Sequence, residues 1–317
     1  MDGIEHRLRG LLRGEKRMIA QIISAVENDC AQGLLQNIFP YTGRAYHVGI
    51  TGPPGAGKST LVNAVAKQFL QQGKKIGIIA VDPSSPFSGG ALLGDRVRMT
   101  DLAAHRDVFI RSMASRGSLG GLARTTKDAA LVLDAAGMDY VLIETIGVGQ
   151  VELDIAGVCD TTVVVLVPES GDSIQAMKAG LLEIADILVV NKSDRDGSER
   201  LVMELKFAME MREREPDWEY PILMTTATEE KGIGQLVIAL QAHIDHLSMT
   251  GKLEEQRKAK LLHHVHELVE QKIRSHLEEN VMHEHDLRTL VDRIYRRRLD
   301  PYRVAERIAR KIVKGSR

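Results

Sequence analysis

The sequence predicts a doubly wound α/β fold, with a mostly parallel sheet, N-terminal helices and a C-terminal helical appendage. Three observations predict it. Between about residues 46 and 245, short β-branched runs alternate with longer amphipathic stretches. Several runs, such as Val163-Val164-Val165-Leu166-Val167, are apolar on both faces, as strands covered by helices must be. Both ends of the chain lack such runs and carry apolar residues at helical spacing instead.

Taken in order, residues 1–45 form an N-terminal helical segment, with Ile4, Leu8, Leu11, Leu12, Ile19, Ile22 and Ile23 spaced near one helical turn and Gly43 breaking the pattern. Residues 46–248 carry the strand runs YHVGIT, KIGIIAVD, DVFIRSM, DYVLIET, TTVVVLV, ILVVNKSD and PILMTTA. Helical stretches at 58–72, 121–137, 172–185, 198–213 and 233–247 alternate with them. Residues 249–317 change character: Leu261, Leu262, Val265, Leu268 and Val269 keep a helical period amid dense charge, which predicts the helical appendage.

Composition narrows the function classes. With 44% hydrophobic and 27% charged residues the chain has a globular composition, and no stretch supplies the roughly 18 uncharged apolar residues of a membrane span. The first residues are charged and lack a basic-then-apolar leader, so a cytoplasmic protein is expected, with no membrane partner. Forty-two basic against 43 acidic residues give no field to draw in nucleic acid. The only cysteines, Cys30 and Cys159, exclude a disulfide framework or a Cys-based zinc site.

The strongest motif is Gly52-Pro53-Pro54-Gly55-Ala56-Gly57-Lys58-Ser59-Thr60, which fits G-x-x-x-x-G-K-S/T between a strand-like run and a helical one. Its glycines let backbone N–H groups surround the α- and β-phosphates at the positive end of a helix. Lys58 is then placed for the β/γ oxygens and Ser59 for Mg²⁺. This predicts a P-loop nucleotide site.

A second motif selects the base. Asn191-Lys192-Ser193-Asp194 follows the apolar run 187–190, at a strand end where α/β sheets present ligand loops. Guanine offers adjacent N1–H and N2–H₂ donors that one Asp194 carboxylate accepts together, whereas adenine would leave that carboxylate unpaired. Thr226-Ala227-Thr228, after the run 221–224, is placed to offer backbone N–H groups to the guanine carbonyl oxygen. GTP and GDP are therefore the expected nucleotides.

Metal and switch positions lie between the two motifs. Asp82 and Glu144 end strand-like runs and are placed to hold Mg²⁺ or its waters, and Asp95 stands in a Gly-rich loop as a mobile ligand. The bland reading of each acid is a helix cap or a solvated loop carboxylate. Arg96, Arg98, Arg106, Arg111, Arg116 and Arg124 cluster around these loops, and the sequence does not choose which of them faces a transferring phosphoryl group.

GPPGAGKST, VDPSS at 81–85, GGALLGDRVRM at 89–99, RGSLGGLA at 116–123, ETIGVGQ at 144–150, GDSIQAMKAG at 171–180, EIADILVVNKSD and the late DPY at 300–302 together resemble the MeaB/ArgK family. The resemblance implies a P-loop GTPase domain over 46–248 and a helical dimerisation arm over 249–317 of a homodimer. It further implies GTP-gated loading of adenosylcobalamin onto a B12-dependent acyl-CoA mutase, chiefly methylmalonyl-CoA mutase, with protection and reactivation of that enzyme. On this resemblance Lys58, Glu144 and Asp95 are the catalytic residues, Ser59, Asp82, Asp95 and Glu144 the Mg²⁺ residues, and Asn191, Lys192 and Asp194 the guanine readers. Gly147 and Gln150, with Asp172, Gln175 and Lys178, become the switches that relay nucleotide state to the mutase. Two positions depart from the family pattern: Thr226 stands where serine is usual, and Glu169-Ser170 where smaller residues are expected.

The alternative reading is a P-loop kinase or ATPase acting on an amino-acid transport binding protein, against which the guanine-reading Asp194 argues. A nickel-site maturation GTPase would place Cys or His ligands near the nucleotide, and none stands there. His263, His264 and His266 read as a solvated helix face, and Arg293, Arg296, Arg297 and Arg298 as a dimer or mutase contact.

Overall fold

The computed structural model describes residues 2–28, 30–83, 100–115, 121–145, 151–168, 180–211, 217–280 and 284–315, which divide into two compact units, Met1–Arg257 and Lys258–Arg317.

Among the described residues, seven strands build the first unit: β1 (Tyr46–Thr51), β2 (Ile76–Pro83), β3 (Val108–Ser115), β4 (Tyr140–Thr145), β5 (Thr161–Leu166), β6 (Ile187–Asn191) and β7 (Ile222–Thr225). They form one sheet in the order β3-β2-β4-β1-β5-β6-β7, and every neighbouring pair is parallel. The chain therefore starts mid-sheet, builds β2 to β4 on one side and β5 to β7 on the other, which is the doubly wound pattern the alternating runs predict. The order of strands was not legible in the sequence, because apolar runs carry no label for their neighbours.

Side chains alternate across the sheet into cores on both faces, which is why the strand sequences are apolar without a break. On one face Val48, Ile50, Ile78 and Leu142 pack with the helices Lys58–Gln71 and Ile233–Met249. On the other, Ile79, Val81, Val141 and Ile143 share a core with the helix Gly121–Ala135 and the N-terminal helices, while Val164, Leu166, Leu188 and Val190 pack under the helix Ser198–Glu210.

The N-terminal segment is three helices, Asp2–Leu12, Lys16–Glu27 and Gln32–Ile38, interrupted near Gly14 and Asn28. Leu11, Ile19, Ile22 and Ile23 are fully buried, as the periodicity predicts, but Ile4 and Leu12 remain exposed on the outer face. Its exit is clamped. The buried Asp134 carboxylate accepts the N–H groups of Gly43, Arg44 and Ala45, and Arg257 donates to the carbonyls of Gly43 and Ala45 at 3.0 and 2.9 Å. Arg257 also grips Asp160 through two nitrogens, at 3.0 and 2.7 Å.

The second unit consists of the continuation of the helix Lys252–Asn280 beyond Arg257 with the helices Glu284–Tyr295 and Pro301–Gly315. Asp300 caps the last of these by accepting the N–H of Arg303 at 2.8 Å, with Pro301 at the first helical position. Leu261, Leu262, Val265, Val269 and Ile273 are exposed, while Leu268 of the same periodic stripe is half-buried. His263 and His264 lie within 3.3 and 3.4 Å of Glu267 on the same helix.

Candidate functional site

The carboxyl edge of the sheet gathers the two motifs. β1 ends at Thr51, and residues 52–57 form the loop that leads into the helix Lys58–Gln71. Glycine is required at two points of it. Gly52 has φ 139°, and a Cβ there would lie 2.1 Å from the Val165 carbonyl oxygen of β5. Gly57 has φ 87°, and its Cβ would lie 2.4 Å from Nδ2 of Asn191. The loop passes too close to its neighbours for any side chain at these places.

Lys58 and Ser59 open the helix and are both buried. Lys58 Nζ donates to the carbonyls of Gly52 and Pro53 at 2.7 and 2.8 Å, so the ammonium folds back across the mouth of its own loop. Ser59 Oγ donates to Glu144 Oε1 at 2.5 Å. That short bond spans from the helix N-terminus to the penultimate residue of β4, which pairs in register with both Ile50 of β1 and Ala80 of β2. A hydroxyl and a carboxylate oxygen this close form the hard, oxygen-only donor set that suits Mg²⁺. Asp82 is near the end of β2, one position beyond the register pair Val81 and Thr145, on the same edge.

Asn191 ends β6 with its side chain buried and bonded through both its nitrogen and its oxygen. Its Nδ2 donates to Ala56 O at 2.8 Å, and its Oδ1 accepts the Thr225 hydroxyl at 3.0 Å and the Ala227 N–H at 3.1 Å. Lys192 then adopts the left-handed conformation, φ 56°, which turns the chain sharply and leaves Asp194 exposed. Ser193 is tied to the following loop by its N–H to Thr225 O and by a 3.1 Å contact between its hydroxyl and that of Thr226. Thr226 and Lys231 exchange backbone hydrogen bonds, which closes the turn that carries Ala227 and Thr228.

Among the sequence candidates, Lys58, Ser59 and Glu144 thus come together, as do Ala56, Gly57, Asn191, Thr226 and Ala227. Asp95, Gly147, Gln150, Asp172, Gln175 and Lys178 lie outside the described residues. Sequence reasoning missed a further pair: Thr145 Oγ1 donates to Thr51 Oγ1 at 2.8 Å, both residues being buried. Single threonines at strand ends carry no motif, so only the register of β1 and β4 discloses them.

A glycine loop of this geometry, followed by a helix at the carboxyl edge of an all-parallel sheet, defines a P-loop nucleoside triphosphatase. The model of the family described as methylmalonyl Co-A mutase-associated GTPase MeaB matches residues 19–282, and the chain belongs to that family. It is a GTPase. It is 44% identical over 317 residues to a protein of Pyrococcus abyssi, covering 98% of each. It is 35% identical to GTPase ArgK of Escherichia coli over 280 residues, 85% of each chain. It is also 34% identical to the mouse protein named methylmalonic aciduria type A homolog, mitochondrial, over 80% of this chain and 66% of that one. A solved structure titled LAO/AO transport system kinase superposes with TM-score 0.74 at 28% identity, covering 98% of both chains.

Proposed function

We propose that this GTPase couples GTP binding and hydrolysis to the loading, protection and reactivation of a B12-dependent acyl-CoA mutase, with adenosylcobalamin as cargo passed to the partner. The family match over residues 19–282, whose description names association with methylmalonyl-CoA mutase, carries the reading. The domain division is 1–45 for the N-terminal helices, 46–248 for the GTPase domain and 249–317 for a dimerisation arm. The exposed apolar residues Leu261, Leu262, Val265, Val269 and Ile273 support a homodimer, since an apolar helix face of this kind gains by pairing.

On this reading the amides of residues 52–60 hold the phosphates and Lys58 moves from its loop carbonyls to the β/γ oxygens. Asn191 sets the guanine loop on the phosphate loop, Asp194 accepts the two guanine donors, and Lys192 and residues 226–228 flank the base. Ser59, Asp82, Asp95 and Glu144 would hold Mg²⁺, which when bound neutralises charge on the phosphate oxygens. Gly147, Gln150, Asp172, Gln175 and Lys178 report nucleotide state to the mutase. In switch-glutamine GTPases the water-orienting glutamine directly follows the motif glycine; here Val148 takes that place and Gln150 lies two residues on. Free hydrolysis is therefore slow and contact with the mutase completes the site.

The kinase title of the solved structure gives the second reading, phosphorylation of a transport binding protein. A guanine-reading carboxylate has no use in an ATP-dependent kinase, which favours the first. Steady-state phosphate release with and without B12-dependent acyl-CoA mutases of the host tests it. Stimulation by one of them is the expected result. A fast rate from the isolated chain, or no stimulation by any of them, overturns the gating.

A further inference from the structure

We propose that the hydroxyl pair Thr51–Thr145 is a positioning device for GTP hydrolysis, riveting the phosphate loop to the strand that carries Glu144. The backbone ladder between β1 and β4 runs from the pair Tyr46 and Tyr140 to the pair Ile50 and Glu144, and stops there. Thr51 and Thr145 are the next residues on each strand, and their side chains continue the join at 2.8 Å where the backbone no longer does. β1 ends at Thr51, where Gly52 enters the phosphate loop, and β4 ends at Thr145.

The rivet closes a circuit. Thr51 precedes the carbonyls of Gly52 and Pro53 that hold Lys58, and Thr145 follows Glu144, which holds Ser59. Lys58 and Ser59 are consecutive, so the hydroxyl pair links the two outer ends of one hydrogen-bonded ring around the phosphate site. Thr51 is wholly buried and Thr145 is 2% exposed, so water does not replace either hydroxyl's partner. Each hydroxyl is engaged with the other. The pair acts through Glu144, whose placement matters more for the transition state than for a bound diphosphate held by loop amides.

The inference rests on the phosphate-site assignment proposed above, and Lys58→Ala separates the two. The experiment compares Thr145→Val, Thr51→Val, the double variant and Thr145→Ser for single-turnover GTP hydrolysis and for affinity toward fluorescent GDP. The valine variants keep the shape and remove one hydroxyl each. The expected result is a fall in hydrolysis of about tenfold for each, with GDP affinity within about twofold of the parent. The double variant should be no slower than the worse single one, and Thr145→Ser should recover most of the rate, because the pair acts as a unit. Hydrolysis within about twofold of the parent in both valine variants overturns the proposal, as do additive losses, equal losses of rate and GDP affinity, or no recovery by serine. If Thr145→Val does not fold, Thr51→Val and Thr145→Ser still decide. A parental rate in Lys58→Ala overturns the site assignment and this inference with it; loss of hydrolysis there beside parental valine variants overturns this inference alone.

Discussion

Asn191 donates its amide to the carbonyl of Ala56 at 2.8 Å, fastening the loop that carries Asp194 directly to the glycine loop before Lys58. The two loops lie 135 residues apart, and the same side chain also holds Thr225 and the Ala227 N–H. One buried amide therefore sets the spacing between the loop proposed to read the base and the loop proposed to hold the phosphates.

Replacing Asn191 by alanine strands three buried partners at once. Each unsatisfied group costs about 1–3 kcal/mol, and we expect GDP affinity to fall roughly thirtyfold or more. Titration with fluorescent GDP measures it. Unchanged affinity would show that the loops keep their spacing without the amide.

Asp194→Asn should erode the preference for guanine over adenine nucleotides, because the amide turns one of the two acceptor oxygens facing the paired guanine donors into a donor NH₂. Competition of labelled GDP by GTP and by ATP reads this out. The parent should be displaced by GTP alone at low concentration, and the variant should narrow the gap; a parent displaced equally by both would sink the assignment.

Lys58→Ala should abolish hydrolysis and retain the fold. The lysine's bonds to Gly52 and Pro53 run to carbonyls of its own loop, so their loss loosens that loop without opening the sheet core. Circular dichroism and phosphate release together check it.

Stability should decline on acidification in two steps. Burial pushes the His47 imidazole below its ordinary 6.5, with Asp160 and Asp134 opposing and Arg257 reinforcing that shift. The folded chain thus keeps His47 neutral where the unfolded chain takes up a proton, and stability falls as pH drops below about 6.5, by at most ~1.4 kcal/mol per pH unit for one proton. Burial raises the Asp160 carboxyl, but the Arg257 bonds and His47 outweigh it and hold it below 3.8. A second decline follows below that value. Urea midpoints across the range should show both, and His47→Gln should flatten the first.

Arg257→Ala should cost several kcal/mol, in the range of about 3–5 expected when one partner of a buried ion pair is removed. Asp160 is 5% exposed and would lose both guanidinium bonds while retaining the His47 N–H, and the carbonyls of Gly43 and Ala45 lose their donor. Arg257→Lys should recover little, because one ammonium does not span a carboxylate and two carbonyls as the guanidinium fork does. Chemical denaturation distinguishes the two.

Much of this was legible in the sequence for a physical reason. Lys58 and Asn191 sit in motifs because nucleotide chemistry fixes their neighbours, and the strands announce themselves because both faces are buried. What was not legible depends on long-range register. Asp134, Asp160 and Arg257 are unremarkable acids and a base until the fold brings 43–45 between them, and Thr51 meets Thr145 only because β4 lies beside β1. Ile4 and Leu12 misled in the other direction, since helical spacing marks a face as apolar without saying how much of it the rest of the chain will cover.

The strand order has one more consequence. With β1 in mid-sheet, Glu144 belongs to the half built outward through β4 and β2, and Asn191 to the half built outward through β5 and β6. On the proposed reading of the site, a guanine nucleotide would lie across the seam like a splint, from the mid-sheet phosphate loop facing Glu144 to the base loop after β6. Cutting the terminal phosphate would then alter the contacts on the Glu144 side, while the Asn191 side keeps hold of the same guanine. The spent nucleotide can therefore stay in place after the bond is broken, which makes hydrolysis and departure two separate events that a partner can time independently.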